Sequence, residues 1–161
     1  MELPLPWLTL KSVPGIGNLL FNRLVRHFGS PDQVLKAPYE ALAAVEGLTP
    51  RLARAITRHK TPDQIFNDLK RCEQKGFQVI TQQDPRYPAL LLEIADPPPV
   101  LYCYGRMEGN DCHIAVVGSR RATAYGQTTT KGLCRDLAAR GLSIVSGMAR
   151  GIDTAAHLGS L

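Results

Sequence analysis

The chain has 161 residues, 44% hydrophobic and 20% charged, with a net charge of +5; this is the mixture of one ordinary globular domain or two small ones, and it excludes a disordered, collagen-like or coiled-coil chain. Apolar runs such as Ala89–Leu92 fall far short of a membrane span, and Met1-Glu2-Leu3-Pro4 lacks the basic region and apolar core of a signal peptide, so a cytoplasmic protein with no membrane partner is expected. The positive charge is uneven, with eleven Lys/Arg against seven Asp/Glu in residues 1–75 and eight against seven in residues 76–161, a balance compatible with a polyanionic partner and equally with simple solubility.

In chain order, Val13-Pro14-Gly15-Ile16-Gly17 leads into a helix. Phe21, Leu24, Val25 and Phe28 share one face of it, Asn22, Arg23 and Arg26 face away, and Gly29 is its stop. Ser30-Pro31-Asp32-Gln33 opens the next helix, with serine as cap, proline at the first position and glutamine reaching back. Val45-Glu46-Gly47-Leu48-Thr49 leads into a helix over residues 50–59. Both turns resemble the helix-hairpin-helix motif, in which backbone N–H groups at a helix N-terminus can meet a phosphate. The second turn has Thr49 in the place of the motif's last glycine. Arg51, Arg54 and Arg58 share one face of the helix that follows; a solvated basic face and direct nucleic-acid contact both fit them. Thr61-Pro62-Asp63-Gln64 repeats the cap signal and opens a helix with Ile65, Phe66, Leu69 and Cys72 as buried face, closed by Gly76.

The pattern then changes to short β-branched runs between glycine-rich turns. An all-helical unit, residues 1–75, is therefore expected to precede an α/β unit, residues 76–161. Strands are predicted over 77–81 and 100–104. Between them lie the irregular turn Asp84-Pro85-Arg86-Tyr87-Pro88 and the extended connector Asp96-Pro97-Pro98-Pro99. Gly109-Asn110-Asp111 turns the chain into a strand over 113–117, whose near-continuous apolar character fits a buried parallel sheet. A helix over 125–140 follows, with Leu133, Cys134 and Leu137 inward and Gly141 as stop. A strand over 142–145 and a helix starting near Gly151 complete the series.

Two strand-to-helix turns carry the chemistry. The first is Val117-Gly118-Ser119-Arg120-Arg121-Ala122-Thr123-Ala124-Tyr125-Gly126; the second is Ser146-Gly147-Met148-Ala149-Arg150-Gly151-Ile152-Asp153. In a doubly wound sheet both lie at the carboxyl edge, where ligands bind. Gly118 and Gly147 permit close backbone approach, Ser119 and Ser146 offer hydroxyl donors, Arg120 offers a planar fork, and the helix N-termini add partial positive charge. All of this favours an anion. Arg121 and Arg150 fit either ligand contact or solvation. Asp153 reads as a cap of the following helix, His157 as a structural or surface residue, and Gly126 and Gly132 as sites of tight helix-to-sheet packing. Neither turn is a GxGxxG or a P-loop, and no acidic residue ends the second strand, so no dinucleotide cofactor is expected. Cys72, Cys103, Cys112 and Cys134 form no CxxC pair and the four histidines lie apart, so reduced thiols and no metal site are expected.

The first turn, followed by the second and its continuation Thr154-Ala155-Ala156-His157, closely resembles the DNA processing protein A (DprA/Smf) family. The stretches Asp84 to Pro88 and Asp96 to Tyr102, and a helical N-terminal domain of sterile-alpha-motif-like type, fit the same family. The resemblance implies an extended Rossmann-like core that binds single-stranded DNA without an enzymatic reaction, protects incoming strands in natural transformation and helps to load the RecA recombinase. It further implies that Gly118, Ser119 and Arg120 hold a DNA phosphate, with Ser146, Gly147 and Gly151 as the adjoining rim, and that the intact protein is a homodimer. Residues 154–161 still read as helix with no stop signal, so the chain is expected to be the front part of a longer protein. Two other classes are compatible with the residues. One is a nucleotide phosphoribohydrolase of the lysine-decarboxylase-like type, whose Pro-Gly-Gly-x-Gly-Thr loop and catalytic glutamate are not in this chain. The other is an adaptor whose helical unit docks a protein.

Overall fold

The computed structural model describes residues 4–106 and 112–161, which cluster into two compact units, residues 1–107 and 108–161. The expected turn at Gly109-Asn110-Asp111 lies outside the described residues.

The first unit begins with six helices: α1 (Leu5–Lys11), α2 (Asn18–Phe28), α3 (Pro31–Lys36), α4 (Tyr39–Ala43), α5 (Pro50–Arg58) and α6 (Asp63–Gln74). Trp7, Leu10, Phe21, Leu24, Leu42 and Ile56 are buried at its centre, with Trp7 and Phe21 stacked at a ring separation of 5.5 Å. Burial of each such side chain is worth about 1.5–3 kcal/mol relative to exposure. Local chemistry sets the helix ends as the residues predict. Gly29, at φ 89°, returns its amide to the Val25 carbonyl, and the Ser30 hydroxyl accepts from the Gln33 amide at 3.3 Å.

The two hairpin turns are geometric repeats. Gly15 and Gly47 both take positive φ, 91° and 83°. Ile16 donates to the Val13 carbonyl and Leu48 to the Val45 carbonyl, each at 3.1 Å, and all four of those apolar side chains are buried. Thr49 does not disturb the second copy, because its φ of −73° suits any residue; its hydroxyl accepts from the Leu52 amide instead.

Helix α6 departs from expectation. None of its residues is buried, Phe66 is 49% exposed and Cys72 is only half-buried. Thr61 does not cap it either: its hydroxyl meets that of Thr9 at 2.9 Å, 52 residues away. A nonlocal partner has outcompeted the local cap.

The unit ends with β1 (Phe77–Thr81), the single turn α7 (Ala89–Leu92) and β2 (Val100–Tyr104). β1 and β2 pair antiparallel, with Phe77 opposite Tyr104 and Val79 opposite Tyr102. Of the three consecutive prolines, Pro99 accepts from the Gln82 amide at 3.3 Å, and side chains collect the carbonyls of Pro97 and Pro98. Asn22 donates to Pro97 at 2.8 Å, Gln82 to Pro97 and Pro98, and the buried Tyr87 hydroxyl to Pro98 at 2.8 Å. Asp84 folds back on Arg86, accepting from its amide and its guanidinium; that charged hydrogen bond holds the Asp84 carboxyl down to about 2.

The second unit runs β3 (His113–Ala115), α8 (Ala124–Ala138), β4 (Ser143–Val145) and α9 (Ile152–Ser160). β3 and β4 pair in parallel across the α8 crossover, in the register His113–Ser143 through Ala115–Val145, so the α/β reading stands. Burial is less complete than the apolar pattern predicts. β3 ends at Ala115, Val117 is 85% exposed, and on α8 Cys134 is buried while Leu133 is 55% exposed. Among the described residues each strand has one neighbour, and α8 packs mainly on α9, where Gly159 lies so close that a Cβ would come within 2.4 Å of the Lys131 carbonyl oxygen. Gly159, rather than Gly132, is the close-packing glycine; a Cβ on Gly132 would meet nothing within 4 Å.

Candidate nucleic-acid interface

The two glycine-rich loops follow β3 and β4 and, as parallel neighbours, emerge side by side. They are cross-linked. Val116 donates to the Val145 carbonyl at 2.9 Å, the Ser146 hydroxyl donates to the Val116 carbonyl at 2.7 Å, and Ile152 donates to the Ser119 carbonyl at 3.2 Å. Gly151, with φ of 88°, lies against the backbone of the first loop; a Cβ there would fall 2.2 Å from the Ser119 carbonyl oxygen.

These contacts revise what the individual residues can do. The space beside Gly118 is filled by Ile152, and that beside Gly147 by the Asp153 carboxylate; both glycines serve loop-to-helix packing. The one hydroxyl proton of Ser146 goes to Val116, so Ser146 cannot donate to an anion in this geometry. Ser119 differs: its oxygen accepts from the Arg121 amide at 3.0 Å, which leaves its proton to donate outward.

Arg120, Gly147, Met148, Ala149, Arg150 and Asp153 line an open cleft of about 520 Å³. The structure thus brings Arg120 to the second loop and adds Arg150. Arg121 is exposed but does not line the cleft. Asp153 does not cap α9; among the described residues it forms neither a hydrogen bond nor an ion pair with either arginine. Helix α9 starts at Gly151 with no side-chain cap, and the amides of Asp153 and Thr154 carry no hydrogen bond among the described residues. Such amides, with the helix dipole behind them, form an anion-binding position. Helix α8 offers less, because the Thr123 hydroxyl already accepts from the Gly126 amide at 3.1 Å. His157 donates from Nε2 to the Gly147 carbonyl at 3.0 Å and so ties α9 to the second loop.

In the helical unit, Arg51, Arg54 and Arg58 are exposed, but Arg54 lies over the Tyr39 ring at 5.7 Å and is partly engaged. The first hairpin ends at Gly17, which leaves the start of α2 without a side-chain cap, whereas Thr49 occupies one amide of α5. Arg23, read from the sequence only as facing away from the buried side of its helix, donates to the Glu46 carbonyl at 2.7 Å and fastens the second hairpin turn to α2. No helix among the described residues is long and apolar enough to cross a membrane, and no group of three or more His, Cys, Asp or Glu side chains there could hold a metal.

A family model described as DNA recombination-mediator protein A matches residues 78–161, and one described as a SAM-like helix-hairpin-helix tandem matches residues 8–64. Protein Smf of Synechocystis is 37% identical over 156 residues, 94% of this chain and 39% of that protein. DNA processing protein DprA of Bacillus subtilis is 31% identical over 119 residues, 73% of this chain and 36% of that protein. The X-ray structure of DprA from Streptococcus pneumoniae superposes with a TM-score of 0.70 at 26% identity, covering 99% of this chain and 54% of that one. The chain thus spans well under two thirds of these relatives. Two glycine loops in order, the tandem hairpins before them and a family model matching more than half of the residues lead to one conclusion: this chain belongs to the DNA processing protein A (DprA/Smf) family.

Proposed function

We propose that this chain carries part of a non-catalytic single-stranded DNA binding surface, and that its paired glycine loops grip one backbone phosphate. The observation that carries the reading is the cleft itself. The Arg120 fork, Arg150 and the uncapped start of α9 converge on it, and the exposed Ser119, next to Arg120 in the chain, keeps its hydroxyl proton free to donate. An oxyanion suits this set, in which every donor is a cation, a hydroxyl or a backbone amide. Gly118, Gly147 and Gly151 hold the two loops in place around the phosphate, and Ser146 locks the second loop to the first strand. Arg121, Arg51 and Arg58 add general attraction for a polyanion. In the whole protein, the family resemblance extends this to strand protection in DNA uptake, loading of the RecA recombinase and homodimer formation, in the cytoplasm.

The test is Arg120→Ala. Single-strand affinity should fall about equally for all sequences, since phosphates carry no base information. The slope of log affinity against log salt should flatten by roughly 0.7, as expected for one phosphate contact on a single strand. Arg120→Lys should recover the salt slope in part without restoring the affinity, because a point charge lacks the fork. Unchanged affinity and slope in a normally folded variant would return Arg120 to the solvated surface.

A further inference from the structure

The sheet of the first unit exposes an aromatic face that the glycine loops do not use. The β1–β2 register puts Phe77, Val79, Tyr102 and Tyr104 on one face, because side chains alternate along a strand. Phe77 and Tyr104 touch, with ring centroids 5.0 Å apart and planes at 40°. Tyr104 is nevertheless 74% exposed and Tyr102 56%. An exposed cluster of rings is an unusual feature for a surface to keep without a binding role. Beside it, a shallow cavity of about 270 Å³ is lined by Asp68, Arg71, Cys72, Lys75, Phe77 and Tyr102. Arg71, in the last turn of α6, and Lys75, which caps that helix, present two cations at the edge of the rings. Arg71 is 3.9 Å from Asp68, and Lys75 forms no ion pair among the described residues.

We infer that the Phe77–Tyr102–Tyr104 face, with Arg71 and Lys75 at its rim, is a base-stacking platform for single-stranded DNA, a second contact surface beyond the phosphate-gripping loops. This rests on the single-strand reading of those loops. The charge and the rings select the occupant together. Stacked rings beside cations match a chain of flat bases joined by phosphates, and stacking tolerates any base. Tyr102 and Tyr104 are two residues apart on one strand, about 6.7 Å, close to twice the roughly 3.4 Å rise of stacked bases, so each ring can receive its own base.

Binding of the 161-residue chain is measured by fluorescence anisotropy with oligothymidylate and with an abasic oligomer of equal length. The double variant Tyr102→Ala, Tyr104→Ala should bind oligothymidylate at least about fivefold more weakly, with abasic binding unchanged. Tyr104→Phe keeps the ring and should bind as the parent does, and unchanged abasic binding by the double variant guards against a mere folding defect. The parent itself should prefer oligothymidylate to the abasic strand. Unchanged oligothymidylate binding by the double variant overturns the platform, as does an equal loss for both ligands. If the double variant lowers self-association and leaves DNA binding intact, a second copy of the chain is the occupant and the inference is wrong. Arg120→Ala separates the two readings. An effect of Arg120 without one of the tyrosines removes the platform alone, and the reverse removes the loop reading alone. A parent chain that binds neither oligomer removes both.

Discussion

Gly151→Ala tests whether the two loops act as one body. The parent backbone has φ of 88° and ψ of −124° at this position, where an L side chain is strained by about 1–3 kcal/mol. The added Cβ would also sit 2.2 Å from the Ser119 carbonyl oxygen and about 3 Å from the Arg120 backbone. Those atoms belong to the main chain and cannot rotate aside, so the loops must part. Parting them breaks the Ile152 to Ser119 hydrogen bond, worth about 1 kcal/mol. The expected destabilisation of the second unit is therefore about 2–4 kcal/mol. Hydrogen exchange resolves it by residue. The Val116 and Ser143 amides, which bond to the Val145 and Cys112 carbonyls, should exchange at least about thirtyfold faster. Amides of α2 in the other unit should not change. Gly132→Ala is the matched control: its Cβ meets nothing, and alanine in a helix interior should slow exchange by up to about fivefold, from about 1 kcal/mol of helix propensity. Parent-like exchange in Gly151→Ala would refute the close contact between the loops.

Two further predictions follow from the hydrogen-bond directions. Ser119→Ala should weaken single-strand binding with little change in thermal stability, because it removes an outward donor; Ser146→Ala should lower stability by about 1 kcal/mol through the Val116 carbonyl and affect binding less. The reverse pattern in paired melting and binding measurements would exchange their roles. Asp84, whose carboxyl is held down to about 2 from an ordinary 3.8 by the Arg86 hydrogen bonds, stabilises the first unit above the ordinary value. That contribution should be lost as pH falls from about 4 to about 2. Asp84→Asn should flatten the dependence of stability on pH in this window, and an acid-melting curve identical to the parent's would refute it.

What could be read from residue order alone was what local chemistry decides. Gly29, Ser30 and the two hairpin turns act within four residues, and the structure keeps them. The parallel β3–α8–β4 unit was legible because its strands are apolar and its turns glycine-rich. Helices α1, α4 and α7, at seven, five and four residues, were not, since none is long enough to show two turns of apolar period. Thr61 was misread because its partner Thr9 is 52 residues away. The burial of α6 was misread for the same reason: periodicity marks a face, but only a packing partner buries it. Gly159 carried no local signal, and the packing role of Gly151 against the first loop was not legible either, because each meets a backbone many residues distant.

The glycines of the two loops bear on which atoms can meet a ligand. Read as a string, Gly118 and Gly147 suggest close approach of bare backbone to a ligand, and the family resemblance adds Gly151 to the rim. In the structure their open sides face Ile152, Asp153 and the Ser119–Arg120 backbone. They make the loops fit each other, and that fit brings Arg120 to Arg150 and to the start of α9. An anion gripped there is held by guanidinium groups and helix amides. Such a site is indifferent to the base attached to the phosphate. Sensitivity to the bases would have to come from a different chemistry, and the first unit exposes the ring faces that supply it, at Tyr102 and Tyr104.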